Sequence, residues 1–399
     1  MHKRIYLVGG AIRDRLMNIV PTDKDYVAIG WTAAEFEAIG YKRIGSSFPV
    51  FLDSHTGYEY ALARTEHSTG SGTLDFTTDT SGVSIEQDLL RRDITINAMA
   101  MGSDDVLIDP YNGQADITNK FLRHTSPAFV EDPVRVLRLA RFRTKFPTFR
   151  IHKSTKVLVY SMRHQLLALQ PERVWKEVSK ALALPNSYLF FESLFELGVL
   201  DVVFPHLFQL TILKEGSKYH MEASVFEHTM QVLREVSGQP VELQLAALFH
   251  DISKPLCYRE YGDSSGHELH PSIPTLIRST LALPNSVYKD VLFLVNNHAR
   301  IYKLPVMKAS SIGKYLYSYR GKRQLLYNQL ILAHADDLGR INRSVTKQIN
   351  DDAILSAFAE IDYYSPAEWI GLQPKPTTEL IIQHIVVTNA TIARKYLKD

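Results

Sequence analysis

Short apolar runs punctuated by Gly, Pro and Asp fill the first third of the chain. Ile5-Tyr6-Leu7-Val8 ends in Gly9-Gly10, Asp25 to Gly30 (DYVAIG) and Pro49 to Leu52 are similar runs, and Glu59 to Ala63 (EYALA) alternates polar and apolar residues. Runs of this length bounded by turn residues predict strands. After the first run, Ala11 to Asn18 predicts a helix that starts directly on the glycines. Ser68-Thr69-Gly70-Ser71-Gly72-Thr73 is too small and polar to pack, and predicts a mobile loop between strand regions.

From about Asp132 the apolar period changes. Val134 and Leu137, then Val136 and Ala140, recur at three- and four-residue spacing, which predicts a helix. Asp132 stands where a cap belongs and Pro133 suits a first helical turn. Helical patterns continue through Pro171-Glu172-Arg173-Val174-Trp175, through Phe190 to Leu197, and over 220–350, where most histidines lie. The predicted fold is α+β: an N-terminal domain with a mixed sheet, then an all-helical remainder.

Composition narrows the class without naming a function. A chain of 399 residues suggests two or three domains. It is 45% hydrophobic and 22% charged, which is ordinary for a globular protein and excludes a disordered one. The formal net charge of +2 means that any pull on nucleic acid comes from local patches. Cys257 is the single cysteine, so no intrachain disulfide forms and a reducing, cytoplasmic setting is expected. No apolar run approaches the roughly 18 residues that span a bilayer, so no membrane association is expected.

Three N-terminal features carry candidate chemistry. Gly9-Gly10-Ala11-Ile12-Arg13-Asp14 falls at a strand-to-helix junction, where glycines let backbone approach a phosphate and a helix start offers free N–H groups. Alone, such a turn is also a plain structural device. Asp23-Lys24-Asp25 leads into a strand, where residues two apart point to one face. Paired carboxylates repel unless a cation sits between them, and Mg²⁺ takes carboxylate oxygens together with substrate phosphates. A bare Asp-x-Asp is otherwise a solvated turn. Arg91-Arg92-Asp93-Ile94-Thr95-Ile96-Asn97-Ala98 offers guanidinium forks for phosphate, and Asp93 and Asn97 share a face if the stretch is helical.

These motifs, with Asp109-Pro110-Tyr111-Asn112-Gly113, Glu131-Asp132-Pro133-Val134-Arg135 and Pro171-Glu172-Arg173-Val174-Trp175, follow one another in an order that resembles the class II tRNA nucleotidyltransferases, the CCA-adding enzymes. The resemblance covers residue 5 to about 180. It implies a nucleotidyltransferase head followed by helical neck, body and tail, and template-free addition of C, C and A to the 3′ end of tRNA from CTP and ATP. It further implies that Gly10, Arg13, Arg92, Arg138 and Arg141 hold the nucleotide and that Asp23 and Asp25 hold the catalytic Mg²⁺.

Base choice has a physical reading. Asp132 and Arg135 are three apart and can face one pocket. A carboxylate accepts from the exocyclic amino group of C or A, and a guanidinium donates to the neighbouring acceptor. G and U present a carbonyl to the carboxylate instead. In the resembled family these positions act as an amino-acid template. Without the neighbouring motifs the pair would read as a surface salt bridge.

His228, His250-Asp251 and Asp336 form a second constellation, whose imidazole and carboxylate groups suit Ni²⁺, Co²⁺ or Mn²⁺ better than Mg²⁺. Ala246 to Lys254 resembles the core of an HD phosphohydrolase domain, as carried by multifunctional bacterial CCA-adding enzymes. That implies 2′,3′-cyclic phosphodiesterase, 2′-nucleotidase and phosphatase activity. His267, His270 and His298 are candidate further ligands. A metal-free helical body that only binds tRNA remains the alternative for this section.

The expected organisation is a catalytic head at 1–125, a neck and body for nucleotide selection and tRNA binding at 126–219, an HD domain at 220–350 and a helical tail at 351–399. The expected partners are the tRNA 3′ end, CTP and ATP, with the chain a monomer or homodimer. Lys347, Lys375, Arg394, Lys395 and Lys398 could touch tRNA backbone or form a solvated face. A poly(A) polymerase is the first rival and an HD phosphohydrolase with an RNA-binding N-terminal domain the second. The chain ends, which are not strongly basic, favour CCA addition over the first; Asp23 and Asp25 argue against the second.

Overall fold

Strand β1 (Arg4–Val8) runs straight into helix α1 (Gly10–Leu16) through Gly9. The structure, a computed structural model, describes residues 2–44, 50–68, 76–80, 82–214, 224–340, 350–373 and 376–397. Two compact units are present, Met1–Val203 and Phe204–Asp399.

In the first unit, β1 and α1 are followed by β2 (Asp25–Ile29), α2 (Ala33–Ala38), β3 (Lys42–Ile44), β4 (Val50–Leu52), β5 (Glu59–Leu62), β6 (Thr65–Ser68), β7 (Phe76–Asp79), α3 (Ile85–Leu90), β8 (Ala100–Met101), β9 (Leu107–Ile108) and α4 (Gly113–Asn119). Seven strands form one sheet in the order β3-β4-β5-β2-β1-β8-β9. It is mixed: β2 and β5 are parallel, and its other pairings are antiparallel. One face buries Val8, Val27, Ile29 and Leu89; the other buries Ala28, Phe36, Phe51 and Leu62 under α2. Antiparallel pairing sets Val8 opposite Asp25, so the Gly9-Gly10 turn sits at the strand end where Asp25 begins β2.

The rest of this unit is β10 (Phe121–Leu122), α5 (Val134–Lys145), β11 (Arg150–Ile151), α6 (Lys153–Ser161), α7 (Pro171–Leu182), α8 (Tyr188–Glu196) and α9 (Leu200–Val203). Helix α5 packs on α7 and α8. It starts one residue later than predicted, with Pro133 at the N-cap position, while Asp132 Oδ1 accepts from the Val134 N–H at 3.1 Å. The α+β reading holds, with one refinement: β11 interrupts the helical section and pairs in parallel with β10. Helix α1 ends at Leu16, short of the predicted Asn18.

The second unit is helical. Its elements are α10 (Pro205–Ile212), α11 (Val225–Glu235), α12 (Val241–Phe249), α13 (Lys254–Tyr261), α14 (Ile273–Thr280), α15 (Asn285–Asn297), α16 (Ala309–Tyr317), α17 (Arg323–Leu338), α18 (Asp351–Tyr363), α19 (Ala367–Gly371) and α20 (Thr378–Leu397). Helix α12 packs against α11, α15 and α17. Its residues Leu243 through Phe249 are all buried, as an all-round apolar helix requires. Helices α16, α18 and α20 pack on one another.

Of the Ser68 to Thr73 segment, Ser68 closes β6, and the remainder lies outside the described residues, as do Lys347, Lys375 and Lys398.

Candidate active site

Gly9 has a φ of 70°, and a Cβ there would stand 2.9 Å from the Arg92 guanidinium. Glycine is therefore favoured by the backbone turn, and it leaves the Arg92 side chain room without a shift. That turn opens one wall of a cavity of about 970 Å³. Gly10, Arg13, Asp23, Asp25, Arg92, Asp132, Arg135, Arg138 and Arg141 all line it, so the first unit gathers every candidate named for nucleotide chemistry.

Asp25 starts β2 and Asp23 precedes it in the connecting loop. Packing around Asp25 raises its carboxyl above the usual range and the Asp23 charge adds to this, while Arg92 opposes it. Two carboxylates that disfavour each other's charge fit a site for a hard divalent cation. Parallel pairing also sets Glu59 of β5 in register with Asp25. Glu59 was legible only as an alternating strand position; its place beside the pair comes from sheet topology.

The stretch from Arg91 to Asn97 is not a continuous helix. Helix α3 stops at Leu90, Ile94 is extended, and Thr95–Asn97 is a 3₁₀ turn. Asp93 and Asn97 still meet, because the turn folds Asn97 Nδ2 back onto Asp93 Oδ1 at 3.1 Å. Asn97 Oδ1 accepts from Arg13 at 2.6 Å, and Asp93 Oδ2 is 2.7 Å from Arg138. This chain ties α1, the turn and α5 together. Burial works against the Asp93 charge, but Arg138 and Asn97 outweigh it and hold the carboxyl below its usual range. Arg91 and Arg92 both reach the fully buried Asp88, at 2.7 and 3.3 Å. The turn leans on Asp116 of α4, which accepts from Thr95 Oγ1 at 2.7 Å and from Arg123 at 2.9 Å. Asp116→Ala strips both donors of their partner. It should destabilise the first unit by about 2 kcal/mol, read as a lowered thermal unfolding midpoint.

The Arg135, Arg138 and Arg141 stripe on α5 is not a bare cationic face. Arg138 holds Asp93, and Arg141 meets Glu177 of α7 at 2.6 Å. Arg135 donates to the Ala128 carbonyl at 2.6 Å. Asp132 does not pair with Arg135; its Oδ2 is held by Arg173 at 3.0 Å. The surface i,i+3 salt bridge is thus excluded, and both members of the candidate template keep groups facing the cavity. Arg64, Lys145, Arg173, Lys176, Glu177 and Lys180 also line it and were not singled out as site residues in the sequence. Lys145, Arg173, Lys176, Glu177 and Lys180 showed only helical charge spacing, and Arg64 lies in the connection between β5 and β6.

In the second unit His228, His250, Asp251 and Asp336 come together and are all buried. His228 Nε2 lies 3.0 Å from Asp336 Oδ1, and His250 Nε2 lies 3.2 Å from Asp251 Oδ2. Neither His250 Nε2 nor Asp251 Oδ2 has an aligned hydrogen-bond partner. Buried, unaligned imidazole nitrogen and carboxylate oxygen fit a transition-metal ligand set. His267 and His298 join this cluster, but His270 does not: its Nε2 goes to Glu260 at 3.2 Å. Burial, with His267 and His250 adding, pushes His298 down to about 3. A cavity of about 400 Å³ opens beside the cluster and includes Lys254, Lys303 and Arg340.

Residues 5–123 match the family described as the poly A polymerase head domain, and residues 148–210 match a probable RNA and SrmB-binding site of polymerase A. Fold and site together therefore define a nucleotidyltransferase of the poly(A) polymerase head type. The relatives narrow this. The multifunctional CCA protein of Pseudoalteromonas atlantica is 38% identical over 366 residues, spanning 89% of this chain and 90% of the relative. That of Pasteurella multocida is 40% identical over 325 residues, spanning 78% and 77%. The chain belongs to the multifunctional CCA proteins, bacterial tRNA nucleotidyltransferases of the class II CCA-adding type. Among solved structures, a CCA-adding enzyme in complex with ATP superimposes with a TM-score of 0.64 at 20% identity, over 98% of this chain and 86% of that one. The Thermotoga maritima CCA-adding enzyme complexed with tRNA gives 0.60 at 20% identity, over 100% and 88%. These likenesses show the fold. No described helix is long and apolar enough to cross a membrane.

Proposed function

We propose that this chain adds C, C and A to the 3′ end of tRNA from CTP and ATP, choosing each base with Asp132 and Arg135. The observation that carries the reading is that the carboxylates Asp23 and Asp25 share one cavity with Asp132 and Arg135. Asp23 and Asp25 would hold Mg²⁺, which when bound neutralises charge on the attacking and leaving oxygens. Arg13, Arg92, Arg138 and Arg141, each already braced by a carboxylate or amide, present guanidinium groups to the triphosphate. The tRNA 3′-hydroxyl displaces pyrophosphate from the α-phosphorus, and no protein nucleophile is required.

At the selecting end, the Asp132 carboxylate is fixed by the Val134 N–H and by Arg173. A fixed acceptor matches the amino group of C or A and meets the carbonyl of U or G unfavourably. The test is a tRNA lacking CCA, offered CTP and ATP singly and together. CTP alone should add two residues, ATP alone none, and the mixture all three. Long A tracts from ATP alone would favour the poly(A) polymerase reading. The setting that goes with this activity is the cytoplasm, in keeping with the lone, buried Cys257.

A second activity rests on the second unit's cluster. His228, His250, Asp251 and Asp336 would hold Ni²⁺, Co²⁺ or Mn²⁺, which when bound supplies an activated water for phosphoester hydrolysis. Purified chain should hydrolyse 2′,3′-cyclic nucleotides with one of these ions, and lose that activity on chelation. The doubly substituted His250→Ala, Asp251→Ala chain should lose hydrolysis and keep nucleotide addition. Hydrolysis that survives in this variant would remove the cluster from the reaction.

A further inference from the structure

We infer that Lys145 is the general acid of nucleotide addition, giving a proton to pyrophosphate as it leaves. This rests on the transfer reaction proposed above and adds a proton donor to it. Lys145 closes α5 and lines the first unit's cavity together with Gly10, Arg13 and Arg141. Asp132, which faces the base in that reading, stands before α5, so the two residues mark opposite ends of its wall.

An aromatic shelf sets the position of the lysine. The rings of Phe142 in α5 and Phe146 just after it stack 6.4 Å apart at 2°. Three cations lie over them. Arg13 is 5.0 Å from the Phe146 ring and 5.6 Å from that of Phe142, Arg141 is 4.9 Å from Phe142, and Lys145 Nζ is 5.4 Å from Phe146. Arg13 in turn borders the Gly9-Gly10 turn, since a Cβ on Gly10 would stand 3.3 Å from its Nη2. Asp14 joins it to the lysine: Oδ1 is 2.7 Å from Arg13 Nη2 and Oδ2 is 3.7 Å from Lys145 Nζ. At that length the ion pair is too long for a hydrogen bond, which leaves the ammonium N–H groups for a ligand.

Of the three cations on the shelf only the lysine can give up a proton, because a guanidinium stays charged. Burial lowers the proton affinity of Lys145 and the Arg13 charge adds to this; Asp14 opposes them, and Arg141 lowers it further. The other charged groups on this wall are Lys176, Glu177 and Lys180 of α7. Glu177 is engaged by Arg141 at 2.6 Å and by Lys180 at 3.8 Å, away from Lys145. The Lys145 side chain is 37% exposed, so water can restore its proton between turnovers.

In the step, the tRNA 3′-oxygen bonds to the α-phosphorus and its hydroxyl proton passes to water. The bond from that phosphorus to the α,β-bridging oxygen breaks, and the oxygen keeps the electron pair. The Lys145 ammonium gives this oxygen a proton and becomes an amine, which is reprotonated by solvent. Proton transfer of this kind typically contributes about 100- to 10,000-fold.

The test is single-turnover addition of CMP to tRNA by the intact, Lys145→Arg and Lys145→Gln full-length chains. Each is given CTP and its β,γ-methylene and β,γ-difluoromethylene analogues. The methylene group makes the leaving group more basic than pyrophosphate, and the difluoromethylene group makes it less basic. Both variants should slow about 100-fold with CTP, by more with the methylene analogue and by less with the difluoromethylene one. The rate of the intact chain should fall at alkaline pH as Lys145 loses its proton, and both variants should lack that fall. Full activity in Lys145→Arg, or equal slowing with all three triphosphates, would overturn the proposal and make Lys145 a holder of phosphate charge. Should neither variant fold by far-UV circular dichroism, the intact chain decides, and a rate level through alkaline pH would overturn the assignment. No addition by the intact chain would overturn the transfer reading as well.

Discussion

Replacing Asp25 with Ala is expected to reduce nucleotide addition by about 1,000-fold or more while tRNA binding stays close to that of the intact chain. The carboxylate begins β2 beside the Gly9 turn, with Asp23 and Glu59 at the same end of the sheet. In the proposed mechanism, removing it takes away a ligand for the ion that would neutralise the transferring phosphate. Metal stabilisation of a charged transition state is worth several kcal/mol, and each 1.36 kcal/mol is tenfold in rate. The binding of tRNA runs mainly through its phosphates and so does not need this carboxylate. Asp23→Ala should behave likewise. Single-turnover addition of CMP to tRNA, together with filter binding of the same tRNA, separates chemistry from affinity. Near-normal turnover in either variant would refute the metal assignment.

Replacing Asp132 with Ala is expected to change which nucleotide is used more than how fast it is used. Arg173 and the Val134 N–H hold the carboxylate as a rigid acceptor, so its loss removes one base-edge contact and releases Arg173. Each such contact discriminates by about 1–3 kcal/mol, or roughly 5- to 160-fold. UTP and GTP incorporation should rise relative to CTP and ATP by that factor, measured as kcat/KM for each triphosphate. An equal slowing of all four would make Asp132 a structural brace and not a template.

Much of the head was legible because its signals are local. Strand runs ending in Gly9-Gly10 or starting at Asp25, and the three- and four-residue period from Val134, depend on neighbours close in sequence. The candidate chemistry of Asp23, Asp25, Asp132 and Arg135 was legible too, because motif order ties these residues to one reaction. The spacing of Asp93 and Asn97 left open whether that stretch is helical. Spacing alone does not reveal that Thr95 is anchored to Asp116, 21 residues away.

Sequence by itself therefore determined the α+β class and the family, and it named the candidate residues of the two clusters. Only the tertiary structure decided their partners: Arg173 on Asp132 across 41 residues, Arg138 on Asp93 across 45 and Arg141 on Glu177 across 36. It also set Glu59 beside Asp25 through parallel strand pairing, and drew His267 and His298 into the cluster while His270 turned to Glu260. The physical reason is that periodicity records which face of an element is buried, whereas an ion pair or a ligand set depends on which elements are packed together.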